Sequence, residues 1–151
     1  MEQSLLYKWV ALITITFFGF FILQMFDLWS ALYDADKTKI SFLIIIVWLI
    51  ASAFVLYKIF KPKEVYDEML WFTAESMITL GLIGTVSGFL IMLYSSFEGI
   101  DVTSTESLTE SLGQMATGMS TALTTTLVGL GSSLNLKCQL MIYEGHYAKK
   151  H

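Results

Sequence analysis

The sequence predicts an all-α integral membrane protein with four transmembrane helices, and three observations support this. Of the 151 residues, 55% are hydrophobic and only 15% are charged, whereas soluble domains carry about a quarter charged residues. The mean hydropathy is +0.64. The charged residues fall in short clusters, and the long uncharged stretches between them approach the roughly 20 residues that a helix needs to cross a bilayer. Within lipid each backbone must satisfy its own hydrogen bonds, so we expect helices.

The predicted spans run from Trp9 to about Trp29, from Ile40 to Tyr57, from about Trp71 to Phe97, and from about Ser111 to Leu136. The first stretch has one alternative interpretation, a cleaved signal peptide. Its apolar run is long for the core of a signal peptide, and no small-residue cleavage motif precedes the acidic cluster at Asp34 and Asp36. We therefore expect a retained span.

The lysines predict the orientation of these spans. Lys58, Lys61 and Lys63 lie between the second and third spans, and Lys137 follows the fourth. The loop between the third and fourth spans, Glu98 to Glu110, carries acidic residues and no lysine. By the positive-inside rule both termini are cytoplasmic. Several aromatic residues, Trp9, Trp29 and Trp71 among them, lie near predicted span ends, as in an aromatic belt at the membrane surface.

Composition excludes several classes of function. The chain has no arginine, a net charge of −4 and a sequence pI of about 5.0, so a nucleic-acid partner is not expected. Cys138 is the only cysteine, and His146 and His151 are terminal, so no metal site and no cofactor are expected. We find no paired nucleophile and base, and an enzyme is not predicted.

The two halves of the chain differ in chemistry. The first two spans are rich in Phe, Ile, Leu and Trp, which suits contact with lipid; Asp27 is an acid near the outer end of the first and a candidate for ion access. The last two spans are built from small and hydroxylated residues. Glycines that recur at helical spacing predict close helix packing, at Gly81, Gly84 and Gly88 on the third span and at Gly118 and Gly129 on the fourth.

The fourth span carries more hydroxyl groups than helix packing requires. Thr124, Thr125 and Thr126 are consecutive, and Thr121 precedes them by less than a turn. A polar but uncharged face within a membrane suits the passage of ions. Pore lining is one hypothesis for Thr121, Thr125 and Thr126 on this span, and a packed helix seam is the alternative; the hydroxyl pattern alone does not choose between them.

An ion pathway also needs a titratable group within the membrane. The middle parts of the predicted spans contain no acid or histidine, and Glu75, at the start of the third span, comes nearest. Glu75 is a second candidate for ion access. If the protein moves protons, another chain must supply the carrier.

The last two spans resemble the MotA/TolQ/ExbB proton-channel family. The resemblance is carried by GLIGTVSG at 81–88 and ALTTTLVGL at 122–130, in which Thr85 and Thr126 match the family's two pore-lining threonines. It divides the chain into two lipid-facing helices (1–62) and a channel region with two pore-lining helices and a short tail (63–151). The chain departs from the TolQ/ExbB branch at Thr121, where that branch has glutamate, and at Asn135, where it tends to have proline.

The resemblance implies the stator subunit of a motor driven by protons or sodium ions in the bacterial inner membrane. It implies a homopentameric ring around a dimer of a MotB/TolR/ExbD-like partner, whose single span carries an aspartate. The resemblance does not choose among outer-membrane energisation, motility, secretion and phage defence. Two other hypotheses remain: a structural membrane protein that oligomerises or holds a partner through its Gly/Ser/Thr faces, and a small multidrug exporter, which the missing mid-span acid disfavours.

Overall fold

The computed structural model describes residues 2–25, 39–61, 67–97 and 104–148, and for residues 2–4, 19–25, 121, 147 and 148 it describes the backbone alone. These ranges form four helices. They are α1 (Glu2–Met25), α2 (Ile40–Phe60), α3 (Glu68–Phe97) and α4 (Thr105–Ala148). Every element in the described ranges is a helix, so the all-α prediction is confirmed.

Two of these helices are long and apolar enough to cross a membrane. They are α2 and α3, and the described part of α1 contains a shorter apolar stretch, Leu5–Phe18. Helix α4 has 44 residues, a length of about 66 Å at 1.5 Å per residue. Its many threonines, serines and glycines lower its hydropathy. Among the described residues, the apolar character of the helices therefore supports two of the four predicted spans, α2 and α3.

Helices α3 and α4 form the most extensive contact and run antiparallel. Small residues allow their backbones to approach closely. A Cβ atom on Gly88 would lie 3.1 Å from the backbone nitrogen of Ala122, and one on Gly129 would lie 2.8 Å from the carbonyl oxygen of Met77. We call this contact the α3–α4 seam. A Cβ on Gly131, by contrast, would have no other atom within 4 Å.

Helices α1 and α2 pack against the C-terminal half of α4 through an apolar cluster. We call the end of the bundle where α2 ends, α3 begins and α4 ends the basal end. The buried apolar residues of this cluster come from all four helices: Leu5, Ile44, Ala51, Val55, Ile59, Leu70, Ala74, Met77, Leu136, Leu140 and Tyr143. At the basal end, Lys58 forms an ion pair with Asp67 and so ties α2 to the start of α3. The other three helices therefore surround the basal half of α4.

Each of these three helices also directs one tryptophan toward α4. The indole nitrogen of Trp9 donates to Gln139 (3.1 Å), that of Trp48 donates to Asn135 (3.1 Å), and that of Trp71 donates to Glu144 (2.7 Å). Trp9 and Trp71, which the sequence predicts in an aromatic belt, thus have hydrogen-bond partners within the bundle, on α4.

Asn135 and Gln139 extend these bonds into a network. The Gln139 amide nitrogen donates to Ser52 (3.0 Å) and to the Asn135 amide oxygen (2.8 Å). The Asn135 amide nitrogen donates to Thr16 (2.6 Å), whose hydroxyl donates in turn to the carbonyl of Leu12. We call this the amide network. It joins α1, α2 and α4 by side chains that would each be costly to leave unpaired away from water.

Candidate functional site

The two threonines expected to line a pore lie opposite each other across the α3–α4 seam. The hydroxyls of Thr85 and Thr126 are in direct hydrogen-bond contact. The Thr85 hydroxyl also has two carbonyl acceptors within reach, Gly81 at 3.0 Å and Ala122 at 3.2 Å, and that of Thr126 has the Ala122 carbonyl at 3.2 Å. Both side chains are half-buried. The pair therefore lies at the edge of the seam.

The chemistry of this hydroxyl pair follows from a count of its donors and acceptors. Each hydroxyl has one hydrogen to donate and about two lone pairs to accept with. Both hydrogens have acceptors among Gly81, Ala122 and the opposing threonine. At most one of the roughly four lone pairs is used within the pair. The pair is therefore an uncharged acceptor, suited to a donor such as water, a hydrated cation or a protonated carboxyl group.

The remaining candidate threonines are placed differently. Thr125 is fully buried, and its side chain fills the space beside Gly84. The structure thus places Thr125 inside the seam rather than on an open face, because Gly84 leaves room for its methyl group there. The side chain of Thr121 lies outside the described residues. Among the candidate threonines whose side chains the structure describes, Thr85 and Thr126 are brought together as a half-buried pair.

The five candidate packing glycines all lie in the α3–α4 seam. Gly81 and Gly129 face each other, Gly84 lies against Thr125, Gly88 lies against Ala122, and Gly118 lies against Met92. A methyl group at any of the five would come within 3.4 Å of an atom of the opposite helix. The seam above and below the hydroxyl pair is therefore closed by backbone contact.

Charged side chains meet at the basal end of the same seam. The ammonium group of Lys137 lies 3.9 Å from the Glu75 carboxylate and 6.0 Å from the centre of the Trp71 ring, and Trp71 donates to Glu144. The Glu75 side chain is 68% exposed. We call these four residues the basal charge cluster. Asp27, the other candidate for ion access, lies outside the described residues.

Acidic residues are confined to the ends of the described helices. Helix α2 contains none, α3 has none after Glu75, and α4 has none between Glu110 and Glu144. The hydroxyl pair therefore lies in a region where the described helices offer hydroxyl oxygens and carbonyl oxygens but no carboxylate.

A comparison with known proteins identifies the family to which the region of α3 and α4 is similar. The sequence model described as the MotA/TolQ/ExbB proton channel family matches residues 56–143. The chain belongs to this family. No curated protein and no solved structure matches the chain.

The MotA/TolQ/ExbB match covers the end of α2, the whole of α3 and most of α4. The seam glycines, the hydroxyl pair and the basal charge cluster, except Glu144, all lie within it. Helix α1 and most of α2 lie before it. Membership in a family of proton channels, together with the apolar helices α2 and α3, indicates a membrane protein.

Sequence reasoning missed two residues of this region. It treated Asn135 only as a departure from a branch of the family, and it gave no role to Gln139. Two amides one helical turn apart, with Lys137 between them as the one charged residue from 111 to 143, are a signal that could have indicated a buried polar network.

Proposed function

We propose that this protein is an ion-channel subunit of a complex driven by a proton or sodium gradient. Four spans enclose the seam, the basal end faces the cytoplasm, and copies of the chain form a ring in the bacterial inner membrane. A partner of the MotB/TolR/ExbD type supplies the membrane-embedded aspartate that carries the ion. A pentamer around a partner dimer is the arrangement we propose from the family.

The observation that carries this proposal is the hydroxyl pair. Thr85 and Thr126 come from two different helices, both within the family match, and leave their lone pairs free in a part of the described chain without carboxylates. A protonated carboxyl group of the partner could donate a hydrogen bond to these oxygens. In that state the partner's aspartate is neutral, so it needs no countercharge from this chain. Such an arrangement suits stepwise ion release past an uncharged lining.

Substitution of Thr126 by valine tests the proposal. Valine keeps the shape of threonine and removes one hydroxyl, while Thr85 keeps its acceptors at Gly81 and Ala122. We expect Thr126→Val to reduce ion flux at least tenfold with normal insertion and assembly. The complex is purified through a tag on the full chain and reconstituted into liposomes. Proton flux is then followed with an entrapped pH dye and sodium flux with a sodium dye.

The matched control is Thr124→Val, the same change two residues away on α4. It should leave the flux near wild type. Wild-type flux in the Thr126→Val complex would contradict the pore role. Loss of flux in both variants would show that flux does not depend specifically on the Thr85–Thr126 hydroxyl pair.

A structural role is the second candidate, because the glycine contacts alone would explain the α3–α4 seam. In that case the chain holds a partner or oligomerises and conducts nothing. It predicts that Gly88→Leu or Gly129→Leu abolishes assembly while Thr126→Val is harmless. Gel filtration of the three variants, compared with their ion flux, separates the two candidates.

A further inference from the structure

The hydroxyl pair lies on a side of the bundle that α1 and α2 do not cover. Thr126 and Asn135 are nine residues apart on α4, which is about two and a half turns of a helix, so they lie on opposite sides of α4. Asn135 is bonded to Trp48 of α2 and to Thr16 of α1. Among the described residues, the edge of the α3–α4 seam that carries Thr85 and Thr126 therefore faces away from α1 and α2.

Large apolar side chains flank the hydroxyl pair on this open edge. The helical neighbours four residues before and three residues after each threonine are small and lie within the seam: Gly81, Gly88, Ala122 and Gly129. The neighbours three residues before and four residues after each threonine lie on the same side of the helix as the hydroxyl. They are large, and between 44% and 67% of each is exposed: Leu82, Phe89, Leu123 and Leu130. We call these four residues the apolar flanks.

The antiparallel register places the apolar flanks on both sides of the hydroxyl pair. The contacts of Thr85 with Thr126 and of Glu75 with Lys137 cross the same edge of the seam. A step back along α3 is thus matched by a step forward along α4. Leu82 and Leu130 therefore lie on the basal side of the pair, and Phe89 and Leu123 lie on its other side. An ion at the pair has apolar side chains next to it in both directions along the edge.

This surrounding is poorly suited to a sodium ion. A conducted metal ion needs several oxygens in place of its water shell. Apart from the two threonine oxygens, the nearest acceptors are the Gly81 and Ala122 carbonyls, and these already accept from the threonine hydroxyls. The described helices have no carboxylate in this region. Removing the water of an ion without a replacement costs far more than removing the water of a neutral group.

A proton meets no such barrier, because it can be carried as part of a neutral carboxyl group. When a hydronium ion gives its proton to the partner's carboxylate, one O–H bond breaks and another forms. The products are water and a carboxylic acid, both uncharged. Apolar surroundings favour the neutral form of a carboxyl group over the charged form. The acid then has one hydrogen to donate, and the hydroxyl pair can accept it.

We propose that the apolar flanks determine which ion is carried, so that the complex conducts protons and rejects sodium ions. This inference rests on the proposed function, which leaves the ion open, and it assigns the choice to residues beside the hydroxyl pair. The flanks make no bond to the ion. They act by withholding the oxygens that a sodium ion would need and by favouring the neutral form of the carrier.

A serine at one of these positions tests the inference. Leu82→Ser places a hydroxyl within one turn of Thr85. The complex with its partner is reconstituted into liposomes, and proton and sodium fluxes are measured under equal electrochemical gradients. We expect the wild-type proton flux to exceed the sodium flux by about tenfold or more. Leu82→Ser should raise the ratio of sodium to proton flux by about threefold or more, because it adds an oxygen ligand.

Two controls separate the added oxygen from other effects of the change. Leu90→Ser is the same substitution at an exposed position of α3, about 140° around the helix from Thr85, and it should leave the flux ratio unchanged. Leu82→Ala removes the same bulk without adding an oxygen, so it should raise the ratio less than Leu82→Ser does. An equal rise in both Leu82 variants would mean that bulk decides, and it would overturn the proposal.

A second serine variant, Leu123→Ser, repeats the test on the other side of the hydroxyl pair. Gel filtration identifies the variants that assemble as the wild type does. An unchanged flux ratio in an assembled Leu82→Ser or Leu123→Ser complex would overturn the proposal. A wild-type complex that conducts sodium as fast as protons would also overturn it, while the channel function would stand. No flux of either ion through the wild-type complex would instead overturn the proposed function.

Discussion

The Gln139 side chain makes three hydrogen bonds to residues of α1, α2 and α4. It is fully buried, its amide oxygen accepts from Trp9, and both hydrogens of its amide nitrogen are donated, one to Ser52 and one to Asn135. Hydrogen bonds between membrane helices stabilise by about 0.6 kcal/mol each on average. Because α1 has few other contacts with the bundle, these bonds weigh heavily in its attachment.

We expect Gln139→Leu to destabilise the protein by about 2 kcal/mol, from three bonds of that average size. The change also leaves the Trp9 and Ser52 groups without their partner. The measurement is the free energy of unfolding in mixed micelles titrated with a denaturing detergent. Met141→Leu, at an exposed position two residues away, is the control and should change little.

A double variant shows whether the loss arises from the bond itself. Once Gln139 is leucine, Trp9→Phe removes an indole N–H that no longer has its acceptor. The second change should therefore cost less than Trp9→Phe does in the wild-type chain. Equal costs in both backgrounds would mean that the Trp9–Gln139 bond does not contribute to stability.

At the scale of helices, the α3–α4 seam depends on which glycines face the opposite helix. Gly129 and Gly131 are two residues apart on α4, yet one meets backbone and the other meets open space. A methyl group at 129 would lie 2.8 Å from the Met77 carbonyl and 3.0 Å from the Gly81 Cα. Both contacts are with backbone, which cannot move aside as a flexible side chain can.

We expect opposite effects from alanine at these two positions. Gly129→Ala should destabilise the protein by about 1–3 kcal/mol, as overpacking does. Gly131→Ala should stabilise it by up to about 1 kcal/mol, because alanine favours the helix and meets no neighbour. Unfolding titrations of the two variants are compared directly. A loss of similar size at both positions would place the seam on a different face of α4.

The seam could be predicted from the sequence, whereas the amide network could not. Glycines at every third or fourth position mark a face, and the contacts of Gly81, Gly88 and Gly129 lie on it. The acceptors of Trp9 and Trp48 are 130 and 87 residues away. Such pairs depend on the rotation of each helix about its axis, which local spacing does not determine. Thr125 and Thr126 show the same limit, because they are adjacent in sequence but Thr125 lies inside the seam and Thr126 lies at its edge.

At the scale of the whole molecule, α4 is longer than a membrane is thick. Its 44 residues extend about 66 Å, against about 30 Å for the hydrocarbon core. Both ends must then project into water if α4 crosses the bilayer, and the acidic residues Glu106 and Glu144 lie near those ends. This length agrees with a span whose middle third is the hydroxyl-rich stretch.

Cysteine labelling tests whether α3 crosses the membrane and in which orientation. In a Cys138→Ser background, Met69→Cys and Glu106→Cys place single cysteines at exposed positions near opposite ends of the bundle. A membrane-impermeant maleimide should label position 106 in intact cells whose outer membrane is permeabilised. It should label position 69 only after the inner membrane is opened. Labelling of both from the same side would contradict the topology.

The amide network crosses the point where the family match begins. Asn135 and Gln139 lie within residues 56–143, but Thr16, Trp9, Trp48 and Ser52 precede them. A chimera in which α1 and α2 are replaced by helices without such partners would leave two buried carboxamides with unpaired groups. Replacement helices must therefore supply indole or hydroxyl groups at these positions, or α4 must lose its amides.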